Sequence, residues 1–280
     1  MLLISLGCSF QVPKEPSTLL WHLGAEPDTL NPITSTDAYA SRIDSFIFET
    51  LIERDNATLA WKPKLATSWT ISPDHRQFTY TLRSDVRWHD GKPFSADDIV
   101  YSFGRIIDPT VDAPHLRVYY KDIIKVEKIG SNVVRFTYRE PYFLALEFTG
   151  TIPIVPKHLY EKGDFNKHPL NRSPIGTGPY RFHSWKTNES IRIVRNEEYW
   201  GTKPEIREIA FEVIAEDTVA LQVLKKGGLD FAGLRPIQWI KQTGSRHFNE
   251  QFQKMKYSTP GYSFIGWNNK SPYFADKRVR

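Results

Sequence analysis

Apolar residues recur at two spacings along this chain, and the spacings divide it into strands and helices. Thr18 to Leu23, rich in Leu and Trp, predicts a first strand. Gln77-Phe-Thr-Tyr-Thr-Leu-Arg83 alternates, with Phe78, Tyr80 and Leu82 on one face. It pairs with a strand over 68–72 around Pro73-Asp74-His75. A hairpin is predicted over 122–138, turning at Gly130-Ser-Asn132, and further strands at 179–186, 190–195, 207–214, 229–232, 253–258 and 262–268. Helical spacing replaces alternation at Ile43, Phe46, Ile47 and Leu51, one stripe at i, i+3, i+4 and i+8. A second stripe, Ile99, Phe103 and Ile106, follows Ser95 and Asp98, which are set three residues apart as in a capping box. Helices are also expected near 157–162, over 217–226 before Gly227-Gly228, and over 236–243 behind Pro236. Strands and helices interleave, so the fold class is α/β of the mixed α+β kind.

Composition narrows the function more than the fold. The 280 residues hold 40% hydrophobic and 25% charged residues, the balance of a soluble globular protein. Net charge is +5, from 37 basic and 32 acidic residues scattered along the chain. Nucleic-acid binding proteins concentrate such charge on one element, so no nucleic-acid partner is expected. Aromatics reach 14%, which suits both a β-rich core and an apolar ligand site. The single cysteine, Cys8, forms no intrachain disulfide and no Cys-based zinc site. It follows the apolar stretch Leu2 to Gly7, which resembles the end of a bacterial lipoprotein signal. Cys8 is then the expected lipidated residue, with residues 1–17 a signal remnant and tether; a chance match is the alternative.

The search for chemistry returns little. His89-Asp90 pairs an imidazole with a carboxylate, but neighbours in an extended segment point to opposite faces, and Asp90-Gly91 is ordinary turn chemistry. His115, His158 and His168 lack metal-ligand spacing, and Gly176-Thr-Gly178 is only the start of a dinucleotide fingerprint. No enzyme, metal or cofactor is expected.

Several ordered motifs carry a family resemblance. They are Glu26-Pro-Asp-Thr-Leu-Asn-Pro32, Pro63-Lys-Leu-Ala-Thr-Ser-Trp69 with Ser72-Pro-Asp74, Val86-Arg-Trp-His-Asp-Gly-Lys-Pro93 running to Phe103, Pro174-Ile-Gly-Thr-Gly-Pro-Tyr180 with Asn196-Glu-Glu-Tyr-Trp-Gly201, and Phe274-Ala-Asp-Lys-Arg-Val-Arg280. Together they resemble the family 5 extracellular solute-binding proteins, the oligopeptide, dipeptide and nickel receptors of bacterial ABC importers. The resemblance implies a type II periplasmic-binding-protein clamp and no enzymatic activity. It implies a monomer that binds a peptide or other small solute and delivers it to ABC permease subunits in the membrane. The location it implies is the periplasm or the outer face of the cytoplasmic membrane. A ligand-sensing domain of a transcription regulator with the same fold is the alternative.

The family pattern implies a first-lobe core domain from 18–45 plus 155–266 and an inserted α+β domain from 46–154. Residues 267–280 would be a crossover into a second lobe that is largely missing, so a truncated chain is expected. It further implies ligand contacts at Glu26, Tyr119, Trp267 and Asn268. The bland readings are a solvated loop acid for Glu26, hinge packing for Tyr119 and a core position for Trp267. The two glycines of Gly176-Thr-Gly178 are expected to serve a tight turn where the chain re-enters the core domain.

Overall fold

The computed structural model describes residues 17–257 and 264–279. Two compact units are present, the first ending at Leu234 and the second beginning at Arg235. The strands are β1 (Thr18–Leu23), β2 (Ile52–Arg54), β3 (Trp61–Pro63), β4 (Ala66–Ile71), β5 (Gln77–Leu82), β6 (Ile123–Gly130), β7 (Val133–Tyr138), β8 (Tyr180–Lys186), β9 (Ser190–Arg195) and β10 (Glu208–Val213). The helices are α1 (Ala38–Ile47), α2 (Ala96–Ile107), α3 (Pro114–Tyr120), α4 (Ala145–Gly150), α5 (Lys157–Tyr160), α6 (Asp217–Lys225), α7 (Pro236–Lys241) and α8 (Arg246–Gln251).

The first unit carries two four-stranded sheets. One has the order β1-β10-β9-β8, with β1 parallel to β10 and the other pairs antiparallel. Helix α1 packs on it, burying Ile43 and Ile47 against Ile191, Ile193 and Phe211. The other sheet, β4-β5-β7-β6, is antiparallel throughout and comes entirely from residues between β1 and β8. Its core joins Phe78, Tyr80 and Leu82 of β5 and Phe136 and Tyr138 of β7 to Ile99 and Ile106 of α2. Alternation along β5 and the helical stripe of α2 thus meet in one core.

Helix α2 begins as its sequence predicts. Asp98 Oδ2 accepts the Ser95 backbone N–H at 2.9 Å, the reach-back arm of a capping box. The same carboxylate takes the Trp88 indole N–H at 3.3 Å and the Lys157 backbone N–H at 2.9 Å, tying α2 to the 86–93 turn and to α5. Burial outweighs these bonds and raises the Asp98 carboxyl above its ordinary value. Asp98→Ala leaves all three donors without an acceptor, so urea titration is expected to show a loss of about 2–3 kcal/mol.

The stripe containing Leu51 is corrected. Helix α1 stops at Ile47, and Phe48 is extended at φ −106° and ψ 152°. The Ile47 carbonyl accepts the Gly178 N–H at 2.8 Å, so a distant loop closes the helix end. Leu51 is buried in the other core, with β2 and β3.

The glycines of the 174–180 segment also answer to a different cause. Neither Gly176 nor Gly178 has a positive φ, unlike Gly91, Gly163 and Gly227. Instead the loop lies flat on the end of α1. A Cβ on Gly176 would stand 1.9 Å from the Ile47 carbonyl oxygen, and one on Gly178 would stand 2.5 Å from that of Phe46. Close approach of two backbones, not turn geometry, demands the glycines.

The downstream half of that motif grips the same place. Glu49, just past α1, is 7% exposed. It accepts the Tyr199 hydroxyl at 2.6 Å, the Trp200 indole N–H at 2.9 Å and the Thr177 hydroxyl at 3.0 Å, with Lys64 Nζ at 3.4 Å. Burial and the adjacent Glu49 carboxylate push the Tyr199 phenol well up.

In the second unit, α7 opens on Pro236 as expected. The α8 helix, which no sequence pattern announces, is capped by Ser245 Oγ, which accepts the Phe248 N–H at 3.2 Å. The strands expected at 253–258 and 262–268 are corrected where they fall on described residues, since 252–257 and 264–268 hold no regular structure, while 258 and 262–263 lie outside the described residues. No described strand pairs with them, and alternation makes a strand only where a neighbour completes the ladder. Among the described residues no helix is long and apolar enough to cross a membrane.

Candidate functional site

The first unit carries a cleft of about 630 Å³ lined mainly by polar and charged residues. Three stretches wall it: the loop from Asp28 to Asp37 between β1 and α1, residues 112–115 leading into α3, and residues 166–172. Asparagines stitch these walls together. Asn31 Nδ2 donates to Asn171 Oδ1 at 2.9 Å, and the Leu30 N–H donates to the Asn171 carbonyl at 2.7 Å. Asn171 Nδ2 donates in turn to the Phe165 carbonyl at 3.0 Å. Asn166 accepts the Asp112 N–H at 2.8 Å and donates to the Thr110 carbonyl at 2.9 Å. A short amide reads an exposed backbone edge with both a donor and an acceptor, which is why asparagine recurs here.

The lining is mixed in charge. Asp28, Asp37 and Asp112 face the same cleft as His115, Lys167, His168 and Arg172, among Thr34, Ser35 and Thr36. Asp37 is partly committed, capping α1 by accepting the Ala40 N–H at 2.7 Å. Ser35 Oγ and His115 Nδ1 are buried atoms with no hydrogen-bond partner. Buried polar atoms are rarely left this way, so these two lining residues hold unused bonding capacity just behind the cleft surface.

Glu26 lies beside the cleft, and its carboxylate is fully engaged. Oε1 accepts the Trp185 indole N–H and Arg172 Nη2 at 3.3 Å, and Oε2 accepts the Asn188 backbone N–H at 3.0 Å. The Arg172 guanidinium sits 3.6 Å over the Trp185 ring. Partial burial would raise the Glu26 carboxyl, but the Asn188, Trp185 and Arg172 bonds together hold it below its ordinary value. Glu26 is therefore a fastening for Arg172, which itself lines the cleft.

The other residues named from sequence lie apart from this lining. Tyr119 is 51% exposed near the C-terminal end of α3 and stacks on Phe148 at 4.9 Å. On the same helix it is His115, four positions earlier, that faces the cleft. Trp267 and Asn268 belong to the second unit. The Trp267 ring meets Phe274 at 4.8 Å, and Asn268 Oδ1 accepts the Lys270 N–H at 3.1 Å, fixing a turn where a crossing strand was expected. Cys8 lies outside the described residues. His89 and Asp90 do not work as a pair. The His89 ring bonds to the 176–178 loop, and Asp90 Oδ2 meets His158 Nε2 at 2.6 Å.

The family model for bacterial extracellular solute-binding proteins, family 5 (middle), matches residues 60–280. The chain belongs to this family. Protein XP55 of Streptomyces lividans is 34% identical over 215 residues, covering 76% of this chain and 38% of that protein. The oligopeptide-binding protein AppA of Bacillus subtilis is 29% identical over 280 aligned residues, covering 96% of this chain and 49% of its own. Among solved structures, NikZ of Campylobacter jejuni in complex with Ni(L-His) superposes with a TM-score of 0.74 at 31% identity, over 82% of this chain and 46% of that one. The fold is thus that of the type II periplasmic binding proteins, and the chain spans about half the length of these relatives or less. The family is one of binding proteins and not of enzymes.

Proposed function

We propose that this chain forms part of the substrate-binding component of an ABC importer, working outside the cytoplasmic membrane. It takes peptides of the oligopeptide and dipeptide class and hands them to a membrane permease, as a monomer lipid-anchored at Cys8. In this reading the sheet of β1 and β8–β10 belongs to a core domain over 18–45 plus 155–266. The sheet of β4–β7 belongs to a domain inserted over 46–154, and residues 267–280 lead into the second lobe, where Trp267 and Asn268 are the contacts proposed for the second unit by itself. Ser35, His115 and Arg172 meet the ligand in the first unit, Glu26 acts through Arg172, and Tyr119 is a further contact from α3.

One observation carries the proposal. Ser35 and His115, whose Oγ and Nδ1 are buried without a hydrogen-bond partner, line the cleft between carboxylates and an anchored guanidinium. A zwitterionic chain with alternating N–H and C=O groups offers what such a lining lacks. The AppA relative favours a peptide, whereas the NikZ relative and the cleft imidazoles favour a nickel–amino-acid chelate as the second reading.

Calorimetric titration of the 280-residue chain with di- to nonapeptides and with Ni(L-His) separates the two readings. The expected result is peptide binding that Arg172→Ala weakens by about tenfold or more, the loss of one charge-assisted hydrogen bond. Binding of Ni(L-His) alone would give the site to the chelate. Peptide binding indifferent to Arg172, Ser35 and His115 substitutions would remove the cleft from the proposal.

A further inference from the structure

The 86–91 turn and the 174–179 loop meet through one buried imidazole. The His89 N–H donates to the Gly176 carbonyl at 2.8 Å, and the Gly176 N–H donates to His89 Nδ1 at 3.2 Å. On the other side of the ring, Nε2 lies 3.0 Å from the Gly178 carbonyl. A backbone N–H can only donate, so Nδ1 is the bare nitrogen and Nε2 carries the proton. Both ring nitrogens are thus matched to a single loop, and the residue is 5% exposed, with little solvent to exchange partners with.

We propose that His89 is an acid-operated latch: neutral, it closes the 174–179 loop onto the 86–91 turn, and protonated, it lets the loop go. A second proton has one place to go, Nδ1, and there it points an N–H at the N–H of Gly176. A hydrogen bond becomes two facing donors. The charged groups around the ring do not rescue the cation. From β8, Arg181 Nη2 donates to the His89 carbonyl at 2.6 Å and brings positive charge to the ring. From the turn itself, the Asp90 carboxylate favours the cation, but it is already engaged by His158 of α5 at 2.6 Å. Release also reaches α1, because Gly178 donates to the Ile47 carbonyl at its end.

The direction in pH follows. Burial dominates over the Gly178 carbonyl, Arg181 adds to it and Asp90 opposes it, bringing His89 down to about 4. With the loop open, the imidazole titrates near its ordinary value of about 6.5. The latch therefore contributes fully above about pH 6.5, and its contribution is lost as pH falls toward 4. Between pH 7 and pH 4 the opening equilibrium rises on the order of 100-fold.

Amide hydrogen exchange on the full chain, corrected for intrinsic rates, reads this opening. The Gly176 and Gly178 amides are expected to lose about 100-fold in protection from pH 7 to pH 4 while amides inside α2 do not, and His89→Gln is expected to abolish the difference. Imidazole NMR of the wild-type chain is the second measurement and stands even if the variant fails to fold. It should report the Nε2–H form, titrating together with loop opening. An Nδ1–H form, a midpoint near 6.5 with the loop amides still protected, or equal loss of protection throughout the unit would overturn the latch.

Discussion

Gly176→Ala is expected to unfold the first unit outright or to cost it more than about 4 kcal/mol, read from urea or thermal unfolding of the full chain. The added methyl would stand 1.9 Å from the Ile47 carbonyl oxygen and 2.6 Å from its carbon. Those are backbone atoms at the end of α1, where Ile47 is packed in the core, so neither wall gives way as a side chain would. Moving the loop instead breaks the Gly178 N–H bond to Ile47 and both His89 ring bonds. Gly104→Ala is the control. Gly104 lies inside α2, and nothing stands within 4 Å of the place an added methyl would take. Alanine there is expected to stabilise by about 0.5–1 kcal/mol through helix propensity. The same substitution thus has opposite signs at two glycines. A tolerated Gly176→Ala would mean that the loop is not seated on α1.

Elements whose own residues decide them are legible in the sequence. Strand β1 occupies Thr18–Leu23 as its sequence predicts, β5 alternates into a core, and α2 starts at its capping pair. Elements that depend on distant partners are not. Leu51 continues the α1 stripe by spacing, yet the helix is stopped by Gly178, far along the chain. The segment after α8 alternates well enough for a strand but has no described neighbour to pair with. An amphipathic period states which face wants burial and not what will be there to bury it.

The candidate site follows the same logic. Glu26 stands out as a charged residue in a proline-rich loop, but its role is set by Trp185 and Asn188, which lie 159 and 162 residues away. Without them a carboxylate beside a cleft reads as a ligand contact; with them it reads as the anchor of Arg172. His115 fails the test of metal-ligand spacing, but that test says nothing of a single imidazole used as a hydrogen-bonding group. Pro114 in the first turn of α3 is the available cue, since it sets a helix start and places His115 at the beginning of that helix. Asn31, Asn166 and Asn171 read only as turn formers, because each wall they stitch is remote in sequence from the others.

Glu49→Ala is expected to cost about 3–5 kcal/mol, because it removes one acceptor from several buried donors at once. Tyr199, Trp200 and Thr177 would each lose their acceptor in the clasp, while Lys64 would keep Glu53 at 3.3 Å. Glu49→Gln retains one carbonyl oxygen and is expected to lose roughly half as much; Tyr199→Phe removes one donor and is expected to cost about 1–2 kcal/mol. Because these groups share one carboxylate, the losses should not add. A double-mutant cycle between Glu49→Gln and Tyr199→Phe is expected to show coupling of about 1 kcal/mol or more, measured by urea unfolding. Additive losses would show that Tyr199 and Glu49 act independently, and the clasp would then be a set of separate contacts. Coupled losses would mean that the carboxylate itself organises the donors around it. Glu49 grips Thr177 between the two glycines seated on α1, so the acid and the glycines then form one joint between the end of that helix and the loop leading into β8.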